Sequence, residues 1–181
     1  MSAPQSISIQ VLPSSIDEFV ALRDTMSHTP QGGAAMMIVA LYAYTQGEAL
    51  GHPCLAVAVD HSRLEEGPNG YKGWQLRTVD RRRVQQQITG RAYVVHSYIQ
   101  GTSPENGYRL PAPPYVLELS SNPYSGDVES GTYKVFVASS GAASPRPVTL
   151  KRDARGIWKA YEWSSLLVGV AAPAAQEGND L

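Results

Sequence analysis

Apolar and polar positions follow two rhythms along the chain, and the change between them falls near Arg91. Before it, apolar residues mostly recur with the spacing of a helix; after it, they alternate residue by residue, as in strands. Ile16, Phe19, Val20, Leu22 and Met26 form a stripe that predicts an amphipathic helix from Ser15 to Ser27. Ser15 and Glu18 have capping-box spacing, hydroxyl to one free amide and carboxylate back to another. A second helix is expected from Thr29, with Pro30 at the first position, where its missing N–H costs nothing. It runs through Met36, Ile38, Leu41 and Tyr44, apolar on every side, and should be the central core helix. Gly32 and Gly33 in its first turn read as a close backbone crossing, with an anion contact at the helix start as the alternative.

Other segments of the first half are shorter. Ser6–Leu12 alternates weakly and predicts a short strand. Cys54–Val59 is apolar on both faces and predicts a buried strand. Residues 65–73 (EEGPNGYKG) read as a loop from their Pro, Asn-Gly and glycines. Thr78 is expected to cap a third, polar helix to Ile88. Beyond Arg91, Tyr93–Ile99, Tyr115–Leu119, Tyr133–Ala138, Val148–Arg152 and Ile157–Trp163 each read as strands. Short connectors, among them the hairpin turn Asp153–Gly156, favour pairing of neighbours and an antiparallel meander. The expected fold is therefore α+β, one domain over residues 1–170, with N-terminal helices packed on one face of a mainly antiparallel sheet. The small, polar stretch 171–181 reads as a disordered tail. Element order resembles that of cone-shaped folds of the nuclear-transport-factor-2 or cystatin-like type.

Composition narrows the function classes. The chain has 181 residues, 43% apolar and 17% charged, with formal net charge −1. Near-neutral charge removes the general electrostatic reason to expect nucleic acid or an anionic membrane as partner. The longest apolar run, Ala34–Ala43, would span about 15 Å as a helix, half a bilayer core, so it reads as buried. One cysteine, Cys54, allows no internal disulfide. Residues Met1–Ser8 do not read as a secretory signal, and a cytoplasmic location is the expectation.

No constellation announces chemistry. His28, His52, His61 and His96 are scattered; His61, Asp60 and His96 could at most be imagined as metal ligands, so no metal, cofactor or catalytic residue is assigned. Cys54 reads as buried and inert. Arg77, Arg81, Arg82 and Arg83 could meet a phosphate or an acidic partner, but read better as a solvated helix face. Three loops hold the remaining candidates. Tyr71, Lys72 and Trp74 offer aromatic and cationic surface; the connection 101–114 carries Glu105, Asn106 and Arg109; Arg146 stands in the third, near Ser139 and Ser140. With His96, these are the expected ligand or partner surface where the loops meet. Structural stitching of the sheet edges is the competing role for the same groups.

The stretches YKGWQ (71–75), SYIQGTSPENGYRLPAPPY (97–115), NPYSGD (122–127) and KVFVASSGAASPRPVTLKRDARGIWKAYEWSSLLVGV (134–170) resemble an uncharacterised bacterial family, a domain of unknown function, over roughly residues 7–170. The resemblance implies a bacterial origin and a shared fold and transfers no catalytic residue. The leading expectation is a non-catalytic protein-interaction module or adaptor. An apolar surplus near the carboxyl end (Trp158, Tyr161, Trp163, Leu166–Val168) would serve as contact or self-association surface. The alternative is a small-molecule binder or enzyme with a pocket between sheet and helices, its polar groups Tyr93, His96, Glu118, Arg109 and Arg146. An immunity or inhibitor protein is a third, weaker expectation.

Overall fold

The computed structural model describes residues 4–174. In chain order these form β1 (Gln5–Ile9), α1 (Ile16–Met26), α2 (Pro30–Thr45), α3 (Glu48–Ala58), β2 (Leu64–Tyr71), β3 (Trp74–Leu76), α4 (Thr78–Ile88) and α5 (Ala92–His96). Then come β4 (Tyr115–Ser120), β5 (Thr132–Val137), β6 (Arg146–Arg152) and β7 (Trp158–Glu162). The arrangement is α+β. One antiparallel sheet of five strands has the order β1-β4-β5-β6-β7, and β2 with β3 forms a separate hairpin.

The two leading helices start where their caps place them. Ser15 Oγ accepts the Glu18 amide at 3.1 Å and Thr29 Oγ1 accepts that of Gly32 at 3.1 Å. Only half of the capping box forms, because the Glu18 carboxylate accepts from the Ser14 hydroxyl instead of reaching back to the Ser15 amide. α2 is buried almost throughout and touches every strand of the five-stranded sheet and the other four helices. Val135, Val137, Val148, Leu150, Trp158 and Ala160, alternating along their strands, belong to the same core. Gly33 is the contact point: a Cβ there would stand 2.7 Å from both the Trp158 carbonyl oxygen and Leu150 Cδ2. The glycine pair is thus explained by close packing.

Two expected strands are helices. Cys54–Val59 lies mostly within α3, and all six residues are buried. A short apolar run has no face to betray its period, so burial on every side fits a helix as well as a strand. Only Val59 pairs with the sheet, as a lone parallel bridge to Ala160. Tyr93–Ile99 contains α5, in which the adjacent Val94 and Val95 are both buried. Its backbone bonds are local, Ser97 N–H to the Tyr93 carbonyl and Tyr98 N–H to that of Val95. Here tertiary packing overrides β-branched propensity. The element order behind the nuclear-transport-factor-2 likeness is therefore not the one observed, since its third element is a helix.

Residues 65–73, expected as a loop, form most of β2, bulged between Glu66 and Tyr71. Thr78 is the first residue of α4 rather than its cap; Arg77 holds the cap position, and its side chain bonds no helix amide. The Glu65 carboxylate accepts the Thr78 amide at 3.1 Å instead. At the carboxyl end, the Ala171 amide donates to the Gly141 carbonyl and the Ala174 amide to that of Pro104. Residues 175–181 of the expected tail lie outside the described residues. Among the described residues no helix is long and apolar enough to cross a membrane.

Candidate functional site: three surface clefts

The β2–β3 hairpin turns through two residues, Lys72 (φ 50°) and Gly73 (φ 84°). Positive φ at both central positions suits the twist of a tight hairpin, which is why Asn-Gly is the usual pair there. Lysine in this conformation is uncommon and strained. The hairpin is tied to α4 by a relay through Gln75, which is 5% exposed. Its carboxamide oxygen accepts the Asn69 amide at 3.0 Å, and its NH₂ donates to Glu65 at 3.1 Å. Glu65 in turn receives the first amide of α4.

Folded in this way, the hairpin overhangs a groove of about 380 Å³ whose other walls are α1, α3 and the β6–β7 turn. Its floor is apolar, from Val20, Ala56, Val57 and Leu64. Trp74 meets the ring of His61 edge-on at 4.3 Å, and Lys72 Nζ lies 5.3 Å from the Tyr71 ring. Arg23, Lys159 and Arg155 supply positive charge from the far side. Arg23 is 7% exposed, with Nε donating to Asp24 at 2.8 Å. Asp153 receives Arg155 at 3.2 Å and lies 4.0 Å from Lys159. Burial pushes the Lys159 amine below its ordinary pKa, and the nearby Arg23 pushes it further. Burial would raise the Asp153 carboxyl, but the Ile157 and Arg155 amides and the Arg155 guanidinium outweigh it and hold it low.

A second cleft, about 290 Å³, lies between α4 and the β6–β7 end of the sheet. Arg63, Arg77, Arg83 and Lys134 line it, with Asp80 and Glu162. A third, about 380 Å³, gathers Tyr44, Glu48, His52 and Arg81. The Tyr44 hydroxyl donates to Glu48 at 3.3 Å, and its ring meets that of His52 edge-on at 5.6 Å. Burial lowers the His52 pKa; Glu48 opposes this and Arg81 adds to it. Carboxylate, phenol and imidazole stand together here, as Asp24, Tyr71 and His61 do in the hairpin groove.

Of the expected surface, Tyr71, Lys72 and Trp74 come together in the first groove. The others do not join them. His96 sits on α5, not on a strand; its Nδ1–H donates to the Tyr108 carbonyl at 3.1 Å, a carbonyl being able only to accept. The Asn106 side chain folds its own loop, accepting the Ser103 and Arg109 amides and donating to the Gly101 carbonyl. Arg146 donates to the Ser165 carbonyl at 3.1 Å and to that of Val168. Glu105 and Arg109 are exposed. The 101–114 and 139–146 loops do meet, through Thr102 and Ser140 at 3.0 Å, with Tyr108 bonded onward to Ala171. For Asn106, Arg146 and His96 the stitching role is the observed one.

Tyr93, His96, Arg109, Glu118 and Arg146 line none of these clefts. The groups that sequence reasoning placed on no candidate surface are Arg23, Arg155 and Lys159, with Glu48 and His52, while His61 was weighed only as an imagined metal ligand. Their only early signal was position: Lys159 alternates with the core residues Trp158 and Ala160. Asp60, His61 and His96 are held by different neighbours, and among the described residues no cluster of three His, Cys, Asp or Glu could hold a metal. The carboxyl-terminal apolar surplus is consumed inside: Trp158, Trp163, Leu166 and Leu167 are at most 5% exposed, and Val168 alone of the six is well exposed, at 44%.

Fold and clefts together define an α+β domain with open surface grooves flanking a filled helix–sheet core. The chain belongs to the family described as a domain of unknown function (DUF6935), whose model matches residues 11–174. No curated protein and no solved structure matches it.

Proposed function

We propose that the domain is a non-catalytic protein-interaction module that receives an acidic segment of a partner in the groove under the β2–β3 hairpin. The observation that carries this reading is the placing of Lys72. It occupies a left-handed turn position that asparagine or glycine would fill without strain, and it sits between the aromatic residues Tyr71 and Trp74. Strain of that kind persists where surrounding structure enforces it, and it clusters at binding surfaces. Opposite Lys72, the crowding of Arg23, Lys159 and Arg155 favours an incoming carboxylate, which would offset the burial, and with it the repulsion from Arg23, that lowers the Lys159 pKa. The groove is open and lies between four elements, which leaves room for a peptide segment with one apolar side chain against Val57 and Trp74.

The test is a nuclear magnetic resonance titration with capped Glu-Phe-Glu and, as control, capped Lys-Phe-Lys. The acidic peptide should shift the amides of Tyr71–Trp74 and Arg155 and the basic one should not. Lys72→Asn separates charge from strain: it should weaken binding severalfold while folding stability stays level or rises by up to about 1 kcal/mol. Equal shifts with both peptides, or shifts spread evenly over the surface, would end this reading.

A further inference from the structure

We infer that the cleft between α4 and the β6–β7 end of the sheet is a second, separate binding site, and that its ligand carries a phosphate group. The first ground is charge. Four cations, Arg63, Arg77, Arg83 and Lys134, face two carboxylates, Asp80 and Glu162, within about 290 Å³, on a chain whose overall charge is −1.

The second ground is a surplus of donors over acceptors. Asp80 is shared between Arg77 at 3.3 Å and Arg83 at 3.8 Å, and Glu162 lies 3.8 Å from Arg63. Charge-assisted bonds of full strength are closer to about 2.8 Å. Lys134 has no carboxylate within 4.0 Å among the described residues. Arg63 Nε is buried without an acceptor. Thr149, Ser164 and Ser165 add hydroxyls to the same lining. Asp80 and Glu162 thus hold the arginines without using all of their donors.

The third ground is preorganisation. The Arg63 guanidinium lies 3.9 Å from the Tyr161 ring centroid, and Lys151 Nζ lies 3.7 Å from the same centroid. A stacked guanidinium loses little side-chain freedom on binding. The guanidinium forks of α4 and of the 3-10 turn His61–Arg63, the Lys134 ammonium of β5 and the hydroxyls together match an anion that presents several oxygens in different directions. Phosphate does so; a carboxylate offers two in one plane. This cleft shares no lining residue with the hairpin groove, so either proposal can fail without the other.

Titration of the whole chain with inorganic pyrophosphate, with sulfate and chloride at matched ionic strength, reads the site directly. Pyrophosphate should bind saturably and shift the amides of Arg63, Thr149, Ser164 and Ser165. Arg83→Gln combined with Lys134→Gln should weaken binding at least tenfold; both side chains are well exposed, so circular dichroism and the melting temperature should stay at wild-type values. Arg91→Gln, exposed and outside the cleft, should bind as wild type. A phosphoserine peptide distinguishes the source: tighter binding than pyrophosphate assigns a phosphoprotein, weaker binding a free phosphate compound, and either supports the site. Equal shifts with sulfate or chloride, or undiminished binding by the double variant, would overturn it.

Discussion

His52 and His96 show how single residues couple this fold to pH. Burial lowers both pKa values, against Glu48 at His52 and against the hydrogen bond to Tyr108 at His96. Above the ordinary value of 6.5 both rings are neutral, folded or unfolded, and contribute no difference. Below it the unfolded chain takes up protons first, so stability falls with pH until the folded-state pKa values are passed. Asp153, held below its ordinary 3.8, acts in a separate, more acid window, its contribution vanishing as pH drops through its folded value. The melting temperature should therefore decline between pH 7 and pH 5, and the His52→Gln, His96→Gln double variant should decline less. An unchanged slope would mean that neither ring is the origin. The burial of His96 was not legible in the sequence, because the Tyr42 ring that stands beside it comes from a distant part of the chain.

At the scale of elements, the seat of α2 on the sheet rests on one small residue. Gly33→Ala would improve helix propensity by about 1 kcal/mol. The new methyl would, however, stand 2.7 Å from the Trp158 carbonyl oxygen, a backbone atom that cannot swing aside. Overpacking of this kind costs roughly 1–3 kcal/mol, so the urea midpoint should fall; a rise would show that helix and strand have room to separate. Elements with a strong period or a clear cap were legible beforehand: α1, α2 and strands β4 to β7 lie within a few residues of the expected ranges. The Cys54–Val59 and Tyr93–Ile99 segments were not, because in each the residues on both sides of the backbone are buried or half-buried, which erases the contrast that distinguishes 3.6 from 2. The β2–β3 hairpin was hidden for another reason. Its glycines and proline signal a turn, while the strand pairing around them depends on Gln75 and Glu65 bonds that no local pattern announces.

For the molecule as a whole, α2 is in contact with every strand of the main sheet, so no large part can open without exposing it. Cys54, in α3 against α2, is fully buried, and burial pushes its thiol up to about 12. Labelling by a thiol reagent at pH 8 should require global unfolding, with a rate whose urea dependence equals that of the equilibrium transition. Rapid labelling without denaturant would reveal a local opening of α3. The same scale separates the two sources of information about this protein. Period, caps and turn residues act over a few positions, and they determined the α+β class, the central helix and the antiparallel meander. Which charged groups share a cleft was decided only by tertiary structure. Arg23 with Lys159, or Arg63 with Lys134, are far apart in the chain, and only the packing of helices and hairpin around one core brings each pair to the lining of one cleft, because charges couple through space and not along the chain.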